Sequence, residues 1–221
     1  LHLGNARTAI FNWLFAKNNN GEFIVRIDDT DTERSTPEFE EDIRDNLTWL
    51  GLDWNEGIGV GGPHGSYRQS ERFERYKQAA EELVEKGIAY QEDGAIKFRV
   101  EKNGSIEFKD IVRGDLSFNK DDIEDFIILR SDGSPTYHLA STVDDIDYEI
   151  SHVARGEDIL PSTPKHIMIM EALGSGLPQF CHLPLLFGHD GKRLSKRHGA
   201  TSVNEFRERG LLSDALFNYM C

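Results

Sequence analysis

The sequence has little cysteine, no long apolar run and no excess of basic charge, and each of these absences argues against a class of protein or site. Only Cys181 and Cys221 are cysteines among 221 residues, which excludes a disulfide framework and a thiolate-rich zinc site and fits a reducing cytoplasm. No run of about 18 apolar residues occurs, so we expect no membrane span. Acidic residues outnumber basic ones by 39 to 25, which argues against a protein that coats nucleic acid.

What is present fits a globular protein with a hydrophobic core. The apolar fraction is 38%, and the length allows one or two domains. The amino terminus lacks the basic region and cleavage site of a signal peptide. The chain opens on a helix start with no strand before it and ends inside an apolar helical pattern, so we expect it to be a fragment.

The opening residues predict a helix, a strand and a second helix. Residues 5–17 have apolar residues at helical spacing, and Phe23–Ile27 is a β-branched run that ends at an aspartate cluster. Thr36-Pro37 predicts the start of a helix whose buried face is formed by Phe39, Ile43, Leu47 and Leu50. With a preceding strand, this order would be the pattern of a parallel sheet with helices on its faces.

An antiparallel segment then interrupts the α/β pattern. Residues 96–100 and 106–108 alternate between apolar and polar, and Asn103-Gly104 between them predicts a hairpin with a primed turn. We therefore expect an inserted domain at 88–133. The parallel elements resume with a strand at 148–154, a helix from Thr163 to about Leu173 and a strand at 180–187.

Polar clusters follow three of these predicted strands, where ligands of open parallel sheets bind. They are Asp28–Asp31, Arg155–Asp158 and the loop at 188–199. The aspartate cluster could instead cap a helix, and Arg155 could pair internally with Glu157 or Asp158. Tyr137 could be a core aromatic with a tethered hydroxyl.

Two motifs point to a bound phosphate. His2-Leu3-Gly4-Asn5 stands at the start of the first helix, where backbone N–H groups favour anions, although an ordinary helix cap would look the same. The segment GHDGKRLSKRHGA places four Lys and Arg residues around Ser195 between glycines. Such a loop could bring Lys196 to the charge that develops during nucleotidyl transfer, or it could be a solvated basic loop.

Taken together, the motifs resemble the class I aminoacyl-tRNA synthetases. HLGN resembles their HIGH element and KRLSKR resembles their KMSKS loop, in the same order and at a similar separation. Further segments are similar to the bacterial-type glutamyl-tRNA synthetases and cover nearly the whole chain, namely FIVRIDDTD, LTWLGLDWNEG, GGPHGSYRQSER, SDGSPTYHLASTVDD, VARGED, STPKHIMIMEALG and HLPLL.

The resemblance implies an α/β fold. A Rossmann-type parallel sheet should be interrupted by a small antiparallel α+β insertion that receives the tRNA acceptor end and followed by the start of a helical stem-contact region. The implied domains are 1–87 and 134–190 for the two halves of the catalytic domain, 88–133 for the insertion, and 191–221 for the KMSKS-type loop and the stem-contact region.

The resemblance also implies a two-step reaction. The α-carboxylate of L-glutamate attacks the α-phosphorus of ATP, which arrives with Mg²⁺, and pyrophosphate leaves. The terminal adenosine of tRNA-Glu then takes the glutamyl group. His2 and Lys196 are the implied catalytic residues. The implied ATP contacts are His2, Gly4, Asn5, Asp158, Leu186, Arg193, Ser195 and Lys196. The implied glutamate contacts are Asp28, Tyr137, His138, Leu139, Ala140, Ser141 and Arg155, although His138 more readily reads as structural.

Three departures from the family pattern qualify these expectations. The opening strand of the family is absent, so we expect little activity from residues 1–221 alone. Asp28 stands where the family has glutamate, which puts its contact with the substrate amino group in doubt. The insertion is short and lacks the cysteine-rich segment of many relatives, so we predict no zinc. Arg34 is the implied contact to the tRNA 3′ end.

Other functions remain open at this stage. They include a short relative that glutamylates a modified tRNA base, a glutaminyl enzyme, a non-catalytic tRNA-binding paralogue and an unrelated nucleotidyltransferase. The resemblance implies a cytoplasmic monomer.

Overall fold

The first part of the chain alternates helices with short strands. The computed structural model describes residues 1–30, 36–188, 190–194 and 201–221. Its opening elements are α1 (Leu3–Asn18), β1 (Ile24–Val25), α2 (Pro37–Trp49), β2 (Glu56–Gly57) and α3 (Phe73–Glu85). Strands β1 and β2 pair in parallel, with Ile24 opposite Glu56. Proline at the start of α2 suits the first helical turn, where its missing N–H has no partner to lose.

The middle of the chain is antiparallel, as the alternating pattern predicts. Its strands are β3 (Ala89–Glu92), β4 (Ala95–Phe98), β5 (Ser105–Asp110), β6 (Gly114–Asn119) and β7 (Phe126–Leu129). Strands β3, β4 and β7 form one sheet, and β5 pairs with β6. The last residue of β5, Asp110, pairs in parallel with Phe180, so the β5–β6 hairpin extends a sheet that belongs to the second half.

The second half contains a parallel strand pair with a helix between the strands. Its elements are α4 (Tyr137–Asp147), β8 (His152–Gly156), α5 (Thr163–Ala172), β9 (Gln179–Leu183), α6 (Val203–Glu208) and α7 (Ser213–Met220). A 3₁₀ segment, Glu157–Ser162, leads from β8 into α5. The sheet runs β6-β5-β9-β8. The predicted α/β fold with an antiparallel insertion is therefore confirmed.

Two hydrophobic clusters stabilise these elements. One lies between α3, α4, α5 and the strands around them, and includes the fully buried Tyr76, Leu83, Ile128 and Leu139. The other joins α1 and α2 to the C-terminal helices through residues such as Ile10, Leu47 and Leu216. Among the described helices, none combines the length and the apolar character that crossing a bilayer requires.

The hairpin predicted across Asn103-Gly104 is wrong. Both residues have the positive φ of a primed turn, 73° and 91°, but the strands on either side enter different sheets. The hairpin turn in this region is instead at Asp93-Gly94, with φ of 50° and 80°, between β3 and β4. Turn residues set the local backbone conformation, whereas sheet pairing depends on which faces are buried.

Two further sequence expectations need correction. The strand expected at 148–154 begins only at His152, because Tyr148 terminates helix α4. The pattern of apolar residues does not predict helix α4, because four of the seven residues that it buries are polar. Phe39 is not part of the buried face of α2, since 61% of it is exposed.

Candidate functional site

A single cleft brings together eight of the thirteen predicted ligand-binding residues that the structure describes, and the five at the start of α4 do not line it. It has a volume of about 1060 Å³ and lies between the start of α1, strand β1, strand β8 and the residues that follow β9. Its lining includes the predicted residues His2, Gly4, Asn5, Asp28, Arg155, Asp158, Leu186 and Arg193. Arg34, Ser195 and Lys196 lie outside the described residues.

The start of α1 is built around His2, which caps the helix. His2 Nδ1 accepts a hydrogen bond from the backbone N–H of Gly4 at 3.1 Å, so the ring proton is on Nε2 and is available to a ligand. Desolvation of the ring, followed by the charge of Arg193, lowers the pKa of His2. The Leu3 N–H is also occupied, by the Thr201 carbonyl at 2.8 Å. A bound anion would therefore meet the His2 ring and the side chain and backbone of Asn5 rather than three free N–H groups.

Arg193 and Asp158 face each other across one end of the cleft. Arg193 Nη2 donates to Asp158 Oδ2 at 2.8 Å. Both side chains are solvent accessible, with exposures of 63% and 35%, so water weakens their attraction and a ligand can compete for either partner. Asp158 also crowds Gly156, because a Cβ atom there would lie 2.5 Å from Asp158 Oδ1.

The residues on either side of 195–200 are hydrogen-bonded to elements next to the cleft. On one side, Leu194 N–H donates to the Leu186 carbonyl at 2.8 Å. On the other side, Thr201 accepts from Leu3, and Ser202 forms a capping box with Glu205 that starts α6. Thr201 therefore lies beside the helix start that carries His2, and Leu194 lines the same cleft as His2.

Arg155, at the end of β8, is held by neutral side chains. Its Nε donates to His182 Nε2 at 3.2 Å, Nη1 to Tyr137 Oη at 3.2 Å, and Nη2 to Thr163 Oγ1 at 2.8 Å. Nη1 also lies 3.1 Å from His166 Nδ1. Within the described part of the chain, no carboxylate comes within ion-pair distance of this guanidinium.

The internal pairing of Arg155 that the sequence left open is not formed. Glu157 instead pairs with Arg113, and Asp158 pairs with Arg193. Each neighbouring carboxylate is thus engaged by another arginine. Arg155 keeps its positive charge available on the wall of the cleft, which is the environment that a substrate carboxylate requires.

Asp28 belongs to an acidic group around Arg26. Arg26 Nε and Nη2 donate to the two oxygens of Asp28 at 2.6 and 3.1 Å, and its Nη1 donates to Asp145 at 3.0 Å. Asp144 lies 3.4 Å from the same guanidinium. Asp144 also pairs with Arg72 at 2.8 Å, so within the described residues Asp28 and Asp145 are the two carboxylates of this group that depend on Arg26 alone. Their excess negative charge favours a cation at this side of the cleft.

The pKa of Asp145 is the most strongly altered among the carboxyls that line the cleft. Burial raises the pKa of Asp145 to about 6, although Arg26 opposes the shift. An ammonium group bound beside Asp145 would favour its charged form.

The predicted glutamate-binding residues at the start of α4 point in different directions. The Tyr137 hydroxyl contacts Arg155, and Ser141 Oγ accepts from Arg26 at 3.2 Å. Leu139 and Ala140 are fully buried in the hydrophobic core, so neither presents a surface to a ligand. His138 Nδ1 lies 3.3 Å from His166 Nε2, behind the residues that border the cleft.

Burial holds three histidines near Arg155 in their neutral form. Burial, followed by the charges of Lys165 and Arg155, lowers the pKa of His138 to about 4. The pKa of His166 is also lowered well below its usual value, again by burial and then by Arg155. Burial also lowers the pKa of His182, although Asp110 opposes the shift. The three histidines around Arg155 are therefore uncharged near pH 7.

This arrangement predicts a loss of stability in acid that depends on His138. The unfolded chain binds a proton at His138 near pH 6.5, whereas the folded chain binds it only near pH 4, so the contribution of His138 to the free energy of unfolding falls as the pH drops through this window. In His138→Gln, the free energy of unfolding should fall less between pH 7 and pH 4 than in the unaltered chain. Denaturant titrations at each pH measure this difference, and parallel curves for the two proteins would contradict the prediction.

Sequence reasoning missed several polar residues of the cleft. Thr8 and Asn12 follow the predicted residue Asn5 at helical spacing along α1 and, like it, line the cleft. This periodicity could have revealed a ligand-facing helix surface. Arg26 stands inside the apolar run FIVRI, where a charge requires a buried partner. Asp145, one of its partners, is 119 positions away in the chain, and no local signal connects the two.

The described residues contain no group of three or more His, Cys, Asp or Glu side chains that could hold a metal ion. The expected lack of zinc stays a prediction.

Comparison with known proteins identifies what the chain resembles. It matches the protein family described as tRNA synthetases class I (E and Q), catalytic domain, over residues 1–95 and 91–221. It is 49% identical to glutamate–tRNA ligase 2 of Thermosipho melanesiensis, covering 100% of this chain and 52% of the relative. It is 44% identical to glutamate–tRNA ligase 2 of Rubrobacter xylanophilus, covering 100% and 53%.

The fold also matches solved structures. A crystal structure of a glutamate–tRNA ligase from Elizabethkingia meningosepticum, in complex with its amino acid, superimposes with a TM-score of 0.92 at 33% identity. The match covers 100% of this chain and 57% of that one. The chain thus spans about half the length of the curated relatives it matches.

Proposed function

We propose that this chain, which belongs to the family of class I tRNA synthetase (E and Q) catalytic domains, carries the ATP-dependent activation of L-glutamate and its transfer to the 3′-terminal adenosine of tRNA-Glu. The observation that carries the proposal is the meeting, in one cleft, of the His2 helix start, the uncompensated Arg155 and the acidic group around Arg26. One end suits a polyphosphate, and the other suits a zwitterion with an additional carboxylate.

The ATP half of the cleft uses the start of α1 and the residues after β9. His2 Nε2–H and Asn5 are proposed to donate to phosphate oxygens, with Arg193 released from Asp158 to join them. Asp158 would then be free to accept from the ribose. Leu186 is proposed to contact adenine through its backbone, although its carbonyl already accepts from Leu194. Mg²⁺ is proposed to enter with ATP, coordinated mainly by phosphate oxygens and water.

The glutamate half combines opposite charges at two places. Arg155 has one Nη2–H without an acceptor among the described residues, and the Tyr137 hydroxyl accepts from Arg155 while retaining its own proton. A substrate carboxylate is proposed to bind this N–H and this hydroxyl, rather than two guanidinium N–H groups. The substrate ammonium is proposed to lie against Asp28 and Asp145, and Arg26 keeps both carboxylates in position.

The chemistry then proceeds in two steps. The glutamate α-carboxylate forms a bond to the α-phosphorus of ATP while the bond to pyrophosphate breaks. The 2′-hydroxyl of the terminal adenosine attacks the glutamyl carbonyl carbon, and AMP leaves. The residues of this chain bind and orient the reactants and offset the negative charge that develops on the phosphates.

The domain boundaries stay a proposal, with residues 88–133 as the insertion that receives the tRNA acceptor end. The two segments of the family match meet at residues 91–95, which form the tight turn between β3 and β4. The alignment to the Rubrobacter enzyme spans 264 positions, more than the 221 residues of this chain. We propose that the longer relatives carry additional residues at this turn. The contact of Arg34 with the tRNA 3′ end is a proposal from sequence alone.

The test is pyrophosphate exchange by the complete natural protein, with glutamate or glutamine and with or without tRNA-Glu. We expect exchange only with glutamate and only when tRNA is present, because the family resemblance implies that activation requires tRNA. Exchange that depends on glutamine, or that proceeds equally well without tRNA, would overturn the assignment in this form.

A further inference from the structure

A buried histidine–aspartate pair lies directly behind Arg155. Asp110 at the end of β5 is 1% exposed, and His182 on β9 is fully buried. His182 Nδ1 lies 2.7 Å from Asp110 Oδ2. On the other side of the ring, His182 Nε2 lies 3.2 Å from Arg155 Nε. The imidazole therefore connects a carboxylate to the guanidinium that we assign to the substrate.

The partners of the ring determine where its proton is. A carboxylate faces Nδ1 and can only accept, so Nδ1 carries the hydrogen. An arginine N–H faces Nε2 and can only donate, so Nε2 is bare. The Thr163 hydroxyl, 3.0 Å from the same Nε2, accepts from Arg155 Nη2 and points its own hydrogen at the ring, so it shares the single lone pair of Nε2 with Arg155 Nε.

Asp110 is held firmly enough to impose this tautomer. Its Oδ1 accepts from the backbone N–H groups of Val112 at 2.9 Å and Arg113 at 2.8 Å, and Oδ2 accepts from the His182 backbone at 3.1 Å. Burial alone would raise the pKa of Asp110, but the Arg113 N–H, the His182 ring and the Val112 N–H together lower it. The carboxylate is therefore charged and fixed in orientation.

We infer that Asp110 and His182 are a positioning pair for the glutamate site: Asp110 fixes the tautomer of His182, and His182 in turn fixes the orientation of Arg155 without neutralising its charge. This inference rests on the proposed function, because it gives Arg155 the role of binding a substrate carboxylate. Neither member of the pair lines the cleft, so neither is a catalytic residue.

An imidazole between Asp110 and Arg155 affects the guanidinium differently from a direct ion pair. A carboxylate in contact with Arg155 would hold the guanidinium but also compete with the substrate for it. A neutral ring accepts from Nε and leaves the charge directed at the cleft. Since Asp110 belongs to the β5–β6 hairpin, the docking of that hairpin onto β9 is a condition for the correct orientation of Arg155.

The decisive variant is Asp110→Asn in the complete natural protein. The asparagine oxygen replaces Oδ1 as acceptor of the Val112 and Arg113 N–H groups and takes over the His182 backbone N–H, which already lies 3.3 Å from Oδ1. Its NH₂ group then faces His182 Nδ1 and forces the ring proton onto Nε2. The Nε2–H of His182 and the Nε–H of Arg155 then point at each other. We expect the KM for glutamate to rise about 10- to 100-fold, the range that follows from losing one hydrogen bond to a charged group, with the KM for ATP unchanged.

The matched control is Asp125→Asn, which alters another carboxylate of the insertion. Asp125 also accepts from a backbone N–H, that of Val100, and from the hydroxyl of Tyr90, but it is remote from Arg155. It should leave the KM for glutamate unchanged. His182→Gln offers an amide oxygen near the position of Nε2, and its KM for glutamate should lie closer to that of the unaltered protein than Asp110→Asn does.

A spectroscopic measurement tests the pair independently of activity. The ¹⁵N chemical shifts of the His182 ring in this chain should identify Nδ1–H in the unaltered protein and Nε2–H in Asp110→Asn. A ring proton on Nε2 in the unaltered protein overturns the inference, and so does an equal rise of both KM values in Asp110→Asn. If the natural protein does not activate glutamate, the proposed function fails, while the tautomer shift still decides whether Asp110 controls the ring.

Discussion

Replacement of Arg155 by alanine in the complete natural protein is expected to raise the KM for glutamate by about 100-fold or more, with the KM for ATP little changed. Loss of one partner from a buried, hydrogen-bonded charge pair costs on the order of 2–5 kcal/mol. Arg155 has only neutral partners within the described residues, so its charge is directed at the ligand. Glutamate titrations in the exchange assay, at saturating ATP, measure the effect.

Two further variants separate charge from geometry at this position. Arg155→Lys keeps the charge but cannot match the planar arrangement of His182, Tyr137 and Thr163, so we expect it to remain strongly impaired. Arg75→Ala removes an arginine that pairs with Asp147 away from the cleft, and should leave both KM values unaltered. A KM for glutamate within about threefold of normal in Arg155→Ala would mean that another group binds the carboxylate, since one charged hydrogen bond alone accounts for more than that.

The second large effect is expected for Lys196→Ala, which should lower the turnover number about 100- to 1000-fold and leave the KM for glutamate little changed. This is the usual cost of removing one group that stabilises developing charge. Lys196 lies outside the described residues, and the expectation comes from the KRLSKR motif. It gains support from the flanking residues, because Leu194 is fastened to Leu186 and Thr201 to Leu3. Single-turnover formation of glutamyl-adenylate measures the chemical step directly.

Lys192 provides the matched control within the same segment. It has the same side chain and follows the turn at Gly191. If general positive charge on the loop is what matters, Lys192→Ala and Lys196→Ala should be equally impaired. We expect a loss of turnover only for Lys196→Ala. Normal turnover in that variant would instead support the alternative that the segment is a solvated basic loop.

Much of the fold follows from local sequence. Helix α2 begins at Pro37 as its capping residues predict, and the short β-branched run at 23–27 contains β1. Helix α4 does not follow from local sequence, because four of its seven buried residues are polar and an apolar pattern therefore does not mark its buried face. The Asn103-Gly104 turn was correctly recognised, yet its flanking strands pair with β3, β7, β6 and β9 instead of each other.

The kind of chemistry could be proposed from the amino-acid sequence, because HLGN, VARGED and KRLSKR place candidate phosphate- and carboxylate-binding groups at the ends of predicted elements in a recognisable order. Which of these charged groups pair with each other becomes visible in the folded chain. Arg193 pairs with Asp158, Arg113 with Glu157 and Arg26 with Asp28. Arg155 instead contacts His182, which in turn contacts Asp110. The His182–Asp110 contact joins positions 72 residues apart, and such pairings arise from packing, which no local pattern encodes.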